Sequence, residues 1–169
     1  MSTLSKILVN KDISCTSIWF MRQAGRYLPE FRKIRSQNKN FIDLCLNSDL
    51  SSEITLQPIT RYNLDSAIIF SDILMVPYAL GQEVEFIKNE GPMLSKFNQK
   101  KFLENKKNNF IKKLTPVYKA ISKTRQRLQK EKSLISFVGA PWTLLIYMLD
   151  LKKNKNEVDL NKVKKLKIE

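Results

Sequence analysis

Two uninterrupted apolar runs, Ser66-Ala-Ile-Ile-Phe70 and Leu134-Ile-Ser-Phe-Val138, constrain the fold of this chain more than any other feature. A strand with one face in water alternates polar and apolar residues, whereas a run without alternation belongs to a strand covered on both faces, as in parallel sheets flanked by helices. Ser17-Ile-Trp-Phe-Met21 is apolar and β-prone in the same way, giving three expected core strands. Glu83-Val-Glu-Phe-Ile87 does alternate and lies between Gly81 and Gly91-Pro92, so it predicts a half-exposed hairpin strand beside the main sheet. Helical patterns separate these runs. Pro29 stands where a first-turn proline is tolerated and predicts a helix through Glu30 to Arg35. Ser48 to Asn63 predicts a helix with Ile54, Ile59 and Tyr62 on one face, kinked or split at Pro58. In the lysine-rich helical region 100–132, Thr115-Pro116 reads as an N-cap and first-position proline dividing two helices. The second of these carries Val117, Ile121, Thr124 and Leu128 at helical spacing. Strands alternating with helices define an α/β chain.

The longest uncharged stretch, Ser133 to Leu149, has 17 residues and is broken by Gly139 and Pro141. It falls short of the roughly 20 apolar residues of a membrane helix and predicts a buried strand followed by a buried helix. Residues 1 to 12 contain no apolar core of a secretory signal, which argues for a soluble cytoplasmic protein. Cys15 and Cys45 have no CxxC spacing, so neither a disulfide framework nor a thiolate metal cluster is indicated. With no histidine, a histidine general base and imidazole metal sites are excluded from this chain. The formal net charge of +14 lies wholly in residues 91–169, where 20 basic side chains, 18 of them lysine, face 6 acidic ones. Lysines on helix exteriors form a solvated face; a nucleic-acid surface would carry arginine interleaved with aromatics. From Leu160 through Val163, Leu166 and Ile168 a helical pattern continues to Glu169.

Three clusters carry chemistry. After the first run comes Met21-Arg22-Gln23-Ala24-Gly25-Arg26-Tyr27-Leu28-Pro29-Glu30-Phe31. Two arginines beside a buried strand require anions, because guanidinium does not deprotonate to escape burial. Those anions are either a ligand or carboxylates such as Glu30 or Asp72. Gly25 lets backbone approach a ligand closely, and the amides of Gln23 and Ala24 add donors. The second cluster is Phe70-Ser71-Asp72-Ile73-Leu74, which puts a carboxylate at the end of an apolar strand, where ligands of parallel α/β folds bind. Asp72 there either accepts N–H donors and steadies a developing cation or caps the turn before Pro77. The third, Gly139-Ala-Pro-Trp-Thr-Leu-Leu-Ile-Tyr147, places Tyr147 with its hydroxyl facing inward or its ring half-buried in the core.

These clusters together resemble the uroporphyrinogen decarboxylase family. The likeness runs from about residue 17 to 150, through SIWFMRQAGRYLPEFRKIR, ITLQPITRYNLDSAIIFSDILMVPYALG, the hairpin with EGP, and FVGAPWTLLIYMLD, and the RQAGRYLPEF string is highly specific. The resemblance implies a (β/α)₈ barrel of the TIM type that removes the carboxyl groups of the four acetate side chains of uroporphyrinogen III to give coproporphyrinogen III. It implies neither metal nor organic cofactor, and a homodimer; the lysine pattern and the short uncharged stretch add the expectation of no nucleic-acid or membrane partner. Arg22 and Arg26 match the family's carboxylate-binding arginines, Arg22 matching the position assigned to proton donation or carboxylate orientation. Asp72 matches the aspartate that accepts pyrrole N–H groups and stabilises the cation formed on ring protonation. Tyr147 matches a tyrosine that contacts substrate and helps place that aspartate.

The family's chains are about twice as long and supply a serine or threonine and a histidine from their later part, which this sequence does not contain. Three core strands plus a hairpin are the start of a barrel that needs about eight strands. Residues 1–169 are therefore expected to be the N-terminal portion of one barrel domain, a fragment whose activity alone is in question. Two other functions fit parts of the sequence. A related barrel methyltransferase acting on corrinoid or thiol acceptors would share the fold, though not the RQAGRYLPEF string. A basic non-enzymatic binding module would use the lysines but leave Arg22, Arg26 and Asp72 without a role.

Overall fold

The computed structural model describes residues 1–87, 91–152, 154 and 157–164. In chain order its elements are α1 (Thr3–Asn10), α2 (Pro29–Gln37), α3 (Phe41–Leu46), α4 (Ser48–Arg61), β1 (Ser66–Ile68), α5 (Met75–Ala79), β2 (Val84–Ile87), β3 (Gly91–Leu94), α6 (Gln99–Leu103), α7 (Lys107–Arg127), β4 (Ser133–Ile135), α8 (Pro141–Met148) and α9 (Leu160–Lys164). They group into two units, one made of Met1–Asp72 with Leu114–Phe137 and the other of Ile73–Lys113 with Val138–Glu169.

The first unit is organised on β1 and β4, which pair in parallel with Ser66 opposite Ser133 and Ile68 opposite Ile135. That pairing bears out the parallel α/β expectation, and Ser66, Ala67 and Ile69 are buried as the apolar run requires. Both strands are nonetheless shorter than the runs that predicted them. The amide of Ile69 still donates to the Ile135 carbonyl at 3.0 Å. At Phe70 the partner changes: its amide donates to Thr55 Oγ1 at 2.8 Å and its carbonyl accepts from Ser51 Oγ at 2.6 Å. Helix α4 thus takes over the strand's backbone groups, and the ladder stops. In β4 all three residues are half-buried, and Phe137 and Val138 beyond it are exposed, so the expected cover on both faces is absent there.

The first expected strand is a correction. Residues 17–21 carry no strand ladder, Met21 already lying in the turn that follows, and Ile18, Trp19, Phe20 and Met21 are exposed. Two of their amides go to side chains. Ile18 donates to the Asp65 carboxylate at 2.7 Å, and Phe20 donates to Gln23 Oε1 at 3.2 Å. A single backbone bond, Asp65 amide to Ile18 carbonyl at 3.0 Å, joins the segment to the strand entry. Two parallel strands and one hairpin are therefore present among the described residues, and no closed barrel is formed by them.

Around β1 the helices bury Leu28, Phe31, Ile34, Leu44 and Ile54 in one cluster, with Ala24, Leu50 and Phe70 packed against it. Each such side chain contributes about 1.5–3 kcal/mol on leaving water. Helix α2 begins at Pro29 as expected, because the missing proline N–H is one that a helix start leaves unpaired anyway. Helices α3 and α4 are each capped by an asparagine: Asn40 Oδ1 accepts from Ile42 and Asp43, and Asn47 Oδ1 from Asp49 and Leu50. Helix α4 is not split at Pro58; it continues to Arg61, with the Tyr62 amide reaching the Pro58 carbonyl at 2.8 Å. Its buried face is Ser51, Ser52, Ile54, Thr55, Gln57 and Pro58, while Tyr62, expected on that face, is exposed.

The lysine-rich region also differs from its expected division. Helix α7 is continuous through Thr115-Pro116, with Leu114, Ala120 and Thr124 buried, so tertiary packing outweighs the one backbone bond that Pro116 removes. Several of its cations have partners inside the first unit. Lys123 bridges Asp49 at 2.6 Å, Arg127 reaches Ser52 Oγ at 3.3 Å, and Arg125 caps the helix end on the carbonyls of Leu128, Gln129 and Lys132. Lys132 is buried and donates to the Leu64 carbonyl at 2.6 Å, fixing the entry to β1.

In the second unit β2 and β3 form the expected antiparallel hairpin, Val84 opposite Leu94 and Ile87 opposite Gly91. Glu90 of the EGP motif lies outside the described residues, as does 165–169, where the terminal helical pattern was expected to continue. Helix α8 begins at Pro141, but only Leu144 and Met148 are buried, while Trp142 and Leu145 are exposed. The expectation of a fully buried helix is therefore corrected: it is apolar all round yet covered on one side. No helix among the described residues is long and apolar enough to cross a membrane.

Gly139 is where a backbone must pass close to side chains. A Cβ there would lie 2.5 Å from Leu144 Cδ2 and 3.1 Å from Ile73 Cβ, and Leu144 is itself buried. Gly139→Ala is expected to destabilise the second unit by about 1–3 kcal/mol, read as a lower urea midpoint. A second expectation concerns the Arg61 guanidinium, which holds Glu30 through bonds of 3.1 and 2.9 Å and so lowers the Glu30 carboxyl below its ordinary value. A lowered folded-state value means stability present above the unfolded value, near pH 4.3, and lost as pH falls through the folded one. Glu30→Gln should flatten the acid limb of the stability profile below about pH 4.5, measured by chemical unfolding at a series of pH values.

Candidate active site

The residues 22–28 form a turn that β1 and α2 hold from several sides. The Leu28 amide closes it on the Gly25 carbonyl at 3.0 Å. Gln23 is buried, and its Nε2 donates to the Ser66 carbonyl at 2.9 Å while its Oε1 accepts from Phe20. A carboxamide is thereby inserted between the 17–21 segment and β1, where a ladder bond would otherwise run. The Tyr27 hydroxyl donates to the Gln23 carbonyl, its ring stacks on Tyr62 with centroids 6.3 Å apart, and burial raises its pKa. From α2, Arg32 Nη1 donates to the carbonyls of Arg26 and Tyr27 at 2.9 and 3.1 Å. Ala24 packs on the apolar cluster.

On this braced turn Arg22 and Arg26 are both exposed. Among the described residues no carboxylate lies within salt-bridge distance of either guanidinium. Glu30, which the sequence offered as a structural partner, is engaged by Arg61 instead. Gly25 has ordinary negative-φ backbone, and a Cβ on it would meet only the Tyr27 ring at 3.7 Å. Neither conformation nor packing within the turn demands glycine there.

Asp72 follows Phe70 and Ser71 at the end of β1 and is half-buried. Cys45 of α3 is buried within its electrostatic reach: burial raises the thiol pKa, and the Asp72 charge raises it further. Both Cys45 and Cys15 are free. Arg22, Gln23, Ala24, Gly25, Arg26 and Asp72 thus all belong to the first unit. Tyr147 belongs to the second, half-buried near the end of α8, with Lys152 Nζ 3.6 Å from its ring centroid.

The residue pattern on this geometry decides the family. The uroporphyrinogen decarboxylase family model matches residues 1–166. The chain belongs to the uroporphyrinogen decarboxylase family. It is 49% identical over 155 residues to the uroporphyrinogen decarboxylase of Rickettsia felis and 51% identical over 154 residues to that of Rickettsia canadensis, in each case across 86% of this chain and 44% of the relative. With the Rickettsia bellii enzyme identity is 50% over 133 residues, 79% of this chain and 39% of the relative. The chain therefore spans less than half the length of these curated relatives.

The string RQAGRYLPEF, residues 22–31, runs through the turn just described into α2, and the buried carboxamide separates its members by role: Gln23 is committed to the scaffold, the arginines beside it are not. Reading the sequence alone missed Asp65 and the side-chain use of Gln23. Their only signal was a polar residue next to an apolar run, which is common at strand ends. Gln23→Leu removes both carboxamide bonds and leaves the Ser66 carbonyl without that donor, at an expected cost of about 1–3 kcal/mol. Acrylamide quenching of Trp19 should increase in the same variant as the 17–21 segment loosens.

Proposed function

We propose that these residues form the N-terminal portion of a (β/α)₈ barrel that decarboxylates the four acetate side chains of uroporphyrinogen III to coproporphyrinogen III. The observation that carries the proposal is the pair of exposed arginines on a turn braced by Gln23, Tyr27 and Arg32, with no carboxylate near either guanidinium among the described residues. Two cations held without an internal partner suit a substrate rimmed by eight carboxylates.

In this reading Arg22 and Arg26 bind substrate carboxylates, with Gly25 and the amides of Gln23 and Ala24 lining the approach. Arg22 orients the reacting acetate or delivers the proton. Asp72 accepts the pyrrole N–H groups and stabilises the positive charge that appears when a ring carbon is protonated. The C–CO₂ bond then breaks, its electron pair neutralises the ring, carbon dioxide leaves, and protonation of the exocyclic carbon with loss of the ring-carbon proton gives the methyl group. Partial burial of Asp72 strengthens its interaction with that cation. Tyr147 contacts the substrate. The chemistry needs no metal or organic cofactor, the protein acts in the cytoplasm, and the assembly is a homodimer without a nucleic-acid or membrane partner.

The test is production of coproporphyrinogen when the chain is co-expressed with the C-terminal portion of the Rickettsia felis relative. Asp72→Ala is expected to lower turnover by roughly 10²–10³-fold while leaving the fold intact, and Arg22→Ala and Arg26→Ala to raise KM. Gly25→Ala, for which the turn has room, should weaken substrate binding without changing thermal stability. Full turnover by Asp72→Ala would overturn the assignment.

A further inference from the structure

Helix α4 carries two residues that its own stability does not call for. Ser51 and Thr55, one turn apart, are 1% and 0% exposed. Serine and threonine inside a helix are poorer helix formers than alanine, and buried hydroxyls are costly unless bonded. Both hydroxyls are hydrogen-bonded. Thr55 Oγ1 donates to the Ser51 carbonyl at 2.7 Å and accepts the Phe70 amide at 2.8 Å; Ser51 Oγ donates to the Phe70 carbonyl at 2.6 Å. The two side chains therefore grip Phe70 by its amide and its carbonyl at the point where the β1 ladder has ended.

The ring of Phe70 is held as well, edge-on to Phe31 at 5.8 Å and to Phe41 at 5.7 Å. Backbone and ring of Phe70 are thereby both held, and a single residue, Ser71, separates it from Asp72. We infer that Ser51 and Thr55 are positioning residues for Asp72, setting where its carboxylate meets the substrate. This rests on the reading of Asp72 as the acceptor of pyrrole N–H groups. A purely structural clamp would stabilise the fold without affecting the carboxylate, and the two roles separate experimentally.

The first measurement needs no turnover. In the chain itself, the side-chain carboxyl ¹³C signal of Asp72, identified by its loss in Asp72→Asn, is expected to move in Thr55→Val and in Ser51→Ala. It should return to its original position in Thr55→Ser, while the signal of Asp49 in the first turn of α4 stays in place. An Asp72 signal unmoved in Ser51→Ala and in Thr55→Val overturns the inference, and Ser51→Ala decides alone if Thr55→Val does not fold. The second measurement uses the chain co-expressed with the C-terminal portion of the Rickettsia felis relative. Thr55→Val should lower kcat by roughly ten- to a hundredfold with KM little changed, and Thr55→Ser should restore it. A lowered melting temperature with unchanged kcat per folded molecule overturns the positioning role. Full turnover by Asp72→Asn, with its neighbours still responding to Thr55→Val, would instead overturn the reading of Asp72 and leave the clamp standing.

Discussion

Strand β1 presents more buried peptide groups than its one ladder partner can satisfy, and the first unit is arranged around the side chains that take the remainder. Burying an unpaired amide or carbonyl costs as much as several good contacts return, so each must find a partner. At the strand entry the Asp65 amide meets Ile18, and the Ser66 carbonyl takes the Gln23 carboxamide. At the exit Phe70 is taken by Ser51 and Thr55. One short strand is thus secured at its two ends by the loop that bears the arginines and by the helix that precedes the strand.

This arrangement divides labour within a single motif. Gln23, Ala24 and Tyr27 spend their side chains on the scaffold, and the charge of Arg22 and Arg26 is left to face solvent. Arg32 adds to the same end by tying down the carbonyls of residues 26 and 27. An exposed cation on a mobile loop binds anions weakly because ordering it costs entropy on each encounter; a braced loop has met that cost during folding.

Much of this was legible in the residues. Unalternating apolar runs located both parallel strands and the alternating run located the hairpin, because burial dictates those patterns directly. Pro29 marked a helix start for a local steric reason. The failures lie where side chains compete with backbone. Residues 17–21 have the composition of a strand, yet Asp65 and Gln23 capture the amides a ladder would have used. Pro58 and Pro116 look like breaks, yet neither ends its helix, since packing of faces such as Leu114, Ala120 and Thr124 outweighs one lost bond. The candidate site followed the same division. Arg22, Arg26 and Asp72 stood out because charge beside an apolar run is conspicuous, while Ser51 and Thr55 look like ordinary small polar residues until the peptide they hold is seen.

The grip on Phe70 is built from two buried hydroxyls and the amide and carbonyl of a half-buried residue, and each hydroxyl proton is directed at one carbonyl. None of its members titrates in the range where proteins function, and none carries a net charge for salt to screen. The turn bearing Arg22 and Arg26 is the opposite case, exposed and fully charged, so its attraction for anions fades as ionic strength rises. Raising the salt concentration therefore weakens how strongly this surface gathers anions while leaving the grip on Phe70 as it was.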